Sequence, residues 1–231
     1  IYFATEMAAS MQMTTSASVN KRMFAPAADR NKEPICKMLQ KYLPQKGCVL
    51  EVASGSGQHV SYFAQTLPST LTWQPTEYSG HASFSSAQQE VQAALESISS
   101  YCEGMSNVLP PLALDASAAT WPVDGSEFVA VLATNITHIS PFPVTEGLIS
   151  GAARQLGPGG VLLIYGPFKV GGVASPESNV RFDGSLRSQN ASWGLRDLET
   201  LQALAEEQGF AAPEVNEMPA NNLMLMFKKL R

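Results

Sequence analysis

Short, continuously apolar runs that alternate with stretches of helical periodicity constrain this chain more than any other feature. Cys48-Val49-Leu50-Glu51-Val52-Ala53, Phe128-Val129-Ala130-Val131-Leu132-Ala133-Thr134 and Val161-Leu162-Leu163-Ile164-Tyr165 are apolar at nearly every position. Strands of that kind have to be covered on both faces, the condition of a parallel sheet held between helices. The intervening segments supply the helices. Ile35, Met38, Leu39, Tyr42 and Leu43 mark one face of a helix from about Asn31, with Pro34 in its first turn and Pro44 and Gly47 ending it. Val60, Phe63, Ala64 and Leu67 repeat the pattern until Pro68, and Val91, Leu95 and Ile98 repeat it over about 85 to 99, where Ser85 and Gln88 have capping-box spacing. Val144, Leu148, Ala152 and Leu156 predict a helix over about 144 to 156, stopped by Gly157-Pro158-Gly159-Gly160, and a last helix spans about 197 to 208 before Gly209. Further strands are expected at Leu71 to Glu77, ending near Pro75, and at Leu112-Ala113-Leu114. Strands at 213 to 218 and 223 to 227 are joined by a turn too short for a crossover helix, so they should be antiparallel neighbours. The expected fold is α/β, a mostly parallel doubly wound sheet with an antiparallel C-terminal hairpin strand.

A chain of 231 residues suits one large domain, expected over 21 to 231. Residues 1 to 20 are rich in Ser, Thr, Ala and Met and are expected to be a disordered extension; the start at Ile1 suggests a fragment or an upstream extension. With 15 Lys+Arg against 20 Asp+Glu the formal charge is −5, and no basic run is placed to neutralise a row of phosphates. Duplex nucleic acid is therefore not an expected partner. No stretch approaches the roughly 18 apolar residues of a membrane span, so no membrane partner is expected either. Cys36, Cys48 and Cys102 are odd in number and show no CxxC or Cys/His pattern, so reduced thiols, a cytoplasmic setting and no metal are expected. An organelle is the alternative if residues 1 to 20 act as a transit segment.

In open α/β sheets ligands bind beyond the carboxyl ends of the strands, where the strand order reverses. Five loops therefore become candidates. Ser54-Gly55-Ser56-Gly57-Gln58-His59 lets the backbone approach a ligand beside a helix N-terminus. It is not a dinucleotide fingerprint, because Val60 stands where the third glycine would be, and a ligand-free βα turn is the alternative reading. Glu77 ends the next strand, where a carboxylate can accept both hydroxyls of a ribose. Asp115 ends the third, placed either to meet an adenine edge or to cap a helix. Asn135 and His138 lie in the loop after the long buried strand, with His138 either a base near neutral pH or a neutral ring satisfying backbone groups. From Tyr165 to Asp197 run about thirty residues without periodicity, holding Asn179, Arg181, Phe182, Trp193 and Arg196; a loop of that length should act as a lid. The Asn221-Asn222 turn falls on the same edge.

Glu51, Gly55-Ser56-Gly57, an acid ending the second strand, Asp115 and the terminal hairpin together resemble the Rossmann-like class I methyltransferase fold, which uses S-adenosyl-L-methionine (SAM). A narrower resemblance covers nearly everything from Phe24 onward. Phe24-Ala25-Pro26-Ala27-Ala28-Asp29-Arg30-Asn31-Lys32, Ala53-Ser54-Gly55-Ser56-Gly57-Gln58-His59, Asn135-Ile136-Thr137-His138-Ile139-Ser140-Pro141, Tyr165-Gly166-Pro167-Phe168, Ser178-Asn179-Val180-Arg181-Phe182-Asp183, Trp193-Gly194-Leu195-Arg196-Asp197 and Met218-Pro219-Ala220-Asn221-Asn222 are similar to the methyltransferase-like 26 family. The chain departs at Ala53, where the fuller glycine pattern has glycine, and at Thr76-Glu77, where the family has Ser-Asp.

The resemblance implies a SAM-dependent methyltransferase with Glu51, Ser54, Gly55, Gly57, Glu77, Asp115 and Asn135 on the cofactor. Asn135 and His138 would face the methyl group, and Arg30, Asn31, Asn179, Arg181, Trp193, Arg196 and Asn222 would shape the acceptor pocket. The arginines point to a carboxylate-bearing small-molecule acceptor, or else pin the lid through Asp183 or Asp197. Two rivals stand beside this reading: a non-catalytic SAM-fold binding partner, and a nicotinamide-dependent oxidoreductase, against which Val60 and the hairpin argue.

Overall fold

The computed structural model describes residues 21–79, 85–123 and 128–230, so the expected extension over 1 to 20 lies outside the described residues, as does the side chain of Ser85 from the capping pair. The elements in chain order are α1 (Pro26–Tyr42), β1 (Gly47–Val52), α2 (Gln58–Thr66), β2 (Leu71–Tyr78), α3 (Ser85–Tyr101), β3 (Leu112–Leu114), β4 (Phe128–Thr134), α4 (Phe142–Gln155), β5 (Leu156–Gly166), β6 (Phe168–Lys169), α5 (Glu177–Gln189), β7 (Arg196–Asp197), α6 (Leu198–Glu207), β8 (Glu214–Met218) and β9 (Asn222–Lys228). Seven strands form one sheet in the order β3-β2-β1-β4-β5-β9-β8. All pairings are parallel except those of β9, which runs antiparallel to both β5 and β8.

The continuous apolar runs divide by alternation between the two faces of this sheet. Val49, Trp73, Leu132 and Leu163 pack with Ile35, Leu39, Phe63 and Ile98 from α1, α2 and α3. Leu50, Val52, Val131, Leu162 and Ile164 pack on the other face with Val144 and Leu148 of α4 and Leu201 of α6. The order reverses between β1 and β4, so the crevice expected from the doubly wound pattern opens beyond the carboxyl ends of those two strands.

Four local expectations are corrected. First, α1 begins at Pro26 and carries Pro34 in its interior. Ala28, Ile35 and Leu39 form one buried stripe, and that packing outweighs the lost donor of a mid-helix proline. Second, β2 runs through Pro75 to Tyr78. Trp73 exchanges backbone bonds with Asn107 and Leu109, so Pro75, two residues on, faces the same side, where no donor is required of it. Third, β5 starts at Leu156 and crosses Gly157-Pro158-Gly159-Gly160, because Gly159 donates to Lys229 O at 2.8 Å and Lys229 donates to Gly160 O at 2.8 Å. Fourth, the stretch from Tyr165 to Asp197 holds β6, α5 and β7, the two strands pairing as a small parallel sheet. Only Asn179 and Leu186 of α5 are buried, so the helix has no apolar stripe to betray it.

Candidate functional site

The glycine loop leaves β1 through a series of left-handed residues: Ala53 at φ 58°, Gly55 at 59° and Gly57 at 89°. It is tied to β2 by Ser54 N–H on Thr76 O at 2.7 Å and supported from behind by Ser97, whose hydroxyl donates to Ser56 O at 2.7 Å. Gly57 is required by packing, since a Cβ there would lie 2.7 Å from the Ile98 Cα of α3. A Cβ at Gly55 would meet nothing within 4 Å, so open space lies above that residue, and its N–H donates to Glu77 Oε2 at 2.7 Å.

Glu51, the last acid before this loop, is 1% exposed, and neither carboxylate oxygen has a hydrogen-bond partner. Burial pushes its pKa up to about 7, the nearby Ser54 hydroxyl opposing the rise and the Glu77 charge adding to it. A buried carboxylate left without a partner is costly unless a cation completes it. Burial also raises the pKa of Glu77, against hydrogen bonds from the Tyr78 and Gly55 backbones. Asp115 follows β3, whose Ala113 pairs with Glu77, and its Oδ1 accepts from the Ser117 N–H at 2.9 Å and the Ser117 hydroxyl at 2.6 Å. No helix starts at Asp115 among the described residues, so it caps none; one of its carboxylate oxygens is taken up by the local turn to Ser117. Glu51, Ser54, Gly55, Gly57 and Glu77 converge on one edge of the crevice, with Asp115 beside them.

The other half of the crevice is a cavity of about 840 Å³ beyond β4, β5 and β9, walled by α1 and α5. Arg30, Asn31, Asn135, His138, Asn179 and Asn222 all line it. Asn135 turns the chain at φ 59° after β4. Asn179 spends its amide on Ser175 O and Asn221 O, both at 3.1 Å, and so staples α5 to the turn before β9. The His138 ring stands edge-on to Phe182 at 5.6 Å, and its Nδ1 is buried without a partner. Burial, reinforced by the Arg196 charge, lowers the His138 pKa to about 4. Of the two readings of His138 this favours the neutral ring, although its Nδ1 meets no backbone group. Arg181, Trp193 and Arg196 do not line the cavity. Arg181 points to Glu177 at 3.6 Å with its side chain 70% exposed, and Trp193 closes the turn after α5 by donating to Asn190 O. Arg196 donates to the carbonyls of Thr137, Ser140 and Ser192, so in place of either the acceptor pocket or the alternative pairing with Asp183 or Asp197 it pins the His138 loop through backbone oxygens.

Residues 22–229 match the family model described as "Protein of unknown function (DUF938)". The chain belongs to that family. Its fold is shared with solved class I methyltransferases. An O-methyltransferase family protein from Burkholderia thailandensis matches with a TM-score of 0.68 at 17% identity, covering 88% of this chain and 57% of that one. Human N-acetylserotonin methyltransferase in complex with SAM matches at 0.67 and 11% identity, covering 89% and 53%. An O-methyltransferase family 2 protein from Planctomyces limnophilus in complex with apigenin matches at 0.63 and 15%, covering 88% and 60%. The DUF938 chain thus spans little more than half the length of these structures, and the likeness is one of fold.

Within this DUF938 chain two residues at the site, Tyr165 and His59, were given no role from the sequence. Tyr165, next to last in β5, lines the cavity together with Phe182 of α5, which the predicted lid already held. His59 is 7% exposed on α2 and meets Asn31 Oδ1 through Nε2 at 2.7 Å. Tyr165 closes the most β-like run, a strand-end position that was itself the available signal. His59 and Asn31 sit on separate helices, so no spacing in sequence could pair them. Among the described residues no group of three or more His, Cys, Asp or Glu could hold a metal, and no helix is long and apolar enough to cross a membrane.

Proposed function

We propose that the protein is a SAM-dependent methyltransferase of the methyltransferase-like 26 kind, acting in the cytoplasm on a small-molecule acceptor. The observation that carries this reading is the Glu51 carboxylate, buried, unpartnered and set against the glycine loop at the switch point of a methyltransferase sheet. An ammonium group supplies the missing partner, and the amino acid end of SAM bears one. Open space above Gly55 admits the ligand backbone, and Glu77 and Asp115 stand in sequence along β2 and β3 to accept ribose hydroxyls and meet the adenine edge.

Bound SAM supplies a methyl group already activated by its sulfonium, so the protein's task is alignment and exclusion of water. Asn135 at the end of β4 lies between the two halves of the crevice. Neutral His138 accepts a hydrogen bond from an acceptor hydroxyl and orients it; with a pKa near 4 it does not store a full proton. Tyr165, Phe182 and α5 close the far wall.

Calorimetric titration with SAM and with NAD tests the reading. SAM is expected to bind, and Glu51→Gln to weaken it by about ten- to a hundredfold through loss of a charge-assisted contact. NAD binding without SAM binding would overturn the proposal. Transfer of labelled methyl from SAM into the small-molecule fraction of an extract then tests activity, and its absence with SAM bound favours a non-catalytic partner.

A further inference from the structure

Resting on that reading, we propose that the cavity selects an acceptor carrying a carboxylate, held by Arg30 with Asn31 and Tyr165 beside it. Arg30 is the one charged residue among those lining the cavity, and no Asp or Glu is among them. Its side chain has no ion-pair partner among the described residues. His59 Nε2 meets Asn31 Oδ1 at 2.7 Å, so α2 holds the Asn31 side chain in place beside Arg30. The wall beside Arg30 thus sets the Asn31 amide and the Tyr165 phenol, both able to donate, next to one positive charge, and a carboxylate is the group that can use the charge and the donors together. Phe182, on the lid helix, offers an apolar face for the rest of the molecule.

The test uses the intact chain without SAM and compares 4-hydroxybenzoate with its uncharged analogue 4-hydroxybenzamide by calorimetry and ligand-observed NMR. The carboxylate is expected to bind at least about tenfold more tightly. Arg30→Gln, at an exposed position, should erase that preference without moving the thermal midpoint. His59→Phe should weaken 4-hydroxybenzoate binding, and His59→Gln, which can still hydrogen bond to Asn31, should restore most of it. Equal binding of the two probes, preference for the amide, no binding of either, or an Arg30→Gln variant that still discriminates would each overturn the proposal. SAM titration of the same preparations keeps the two readings apart. SAM binding without probe preference removes only the acceptor class, and probe preference without SAM binding removes only the methyltransferase.

Discussion

Ala53 holds φ 58° in the turn out of β1, a conformation that costs a residue with a Cβ about 1 kcal/mol or more. Ala53→Gly relieves that strain but loosens the unfolded chain, so its stability is expected to stay within about 1 kcal/mol of the parent. Ala53→Val, β-branched at a positive φ, should lose more than about 1 kcal/mol in denaturant unfolding. Glu51 makes a pH prediction. Its pKa rises from 4.5 unfolded to about 7 folded, so its favourable contribution is complete below 4.5 and is lost as pH rises through 7. Glu51→Gln removes that loss, and the variant should gain on the parent by on the order of 3 kcal/mol between pH 4.5 and pH 8 in unfolding free energy. SAM affinity should show the opposite slope. A cation prefers the ionised carboxylate, so binding weakens below pH 7 and releases a proton, measurable by calorimetry in buffers of different ionisation enthalpy.

At the scale of elements, the lid is organised around Asp183 of α5. Its carboxylate accepts from the Leu195 N–H at 2.7 Å and Arg187 Nε at 3.0 Å and pairs with Lys169 Nζ at 3.2 Å, joining α5, β6 and the segment leading to β7. Burial works to raise its pKa, yet these partners together hold it below the ordinary aspartate range. Asp183→Ala should cost about 1–3 kcal/mol locally and speed amide hydrogen exchange across 168 to 197, leaving exchange in β1 and β4 unchanged. Exchange that stays slow in the lid would refute this role. The same elements show what sequence could not reveal. α5 went unread because its side chains face solvent, and Arg196 was taken for a ligand group because a guanidinium bound to backbone carbonyls leaves no trace in sequence.

For the whole molecule, the last strand is an interior one. β9 lies between β5 and β8, and Leu225 is 0% exposed while Val215 on edge strand β8 is 48% exposed. Leu225→Ala should therefore cost about 2–5 kcal/mol in global unfolding, and Val215→Ala less than about 1. The parallel sheet, the helices that pack on it, the hairpin and the glycine loop at the switch point were legible, because burial on both faces writes apolar runs and the turns between them write Gly, Pro and Asn. So was the gathering of Arg30, Asn31, Asn135, His138, Asn179 and Asn222, through resemblance and the rule that loops at the carboxyl edge meet. The sequence by itself determined the fold class and the residue types at the crevice, since both follow from local patterning. Only the tertiary structure decided that Glu51 is left without a partner, that His138 is neutral, that Arg196 pins a loop, and that His59 meets Asn31. These depend on desolvation and on contacts between residues far apart in the chain, and both arise when the chain closes on itself.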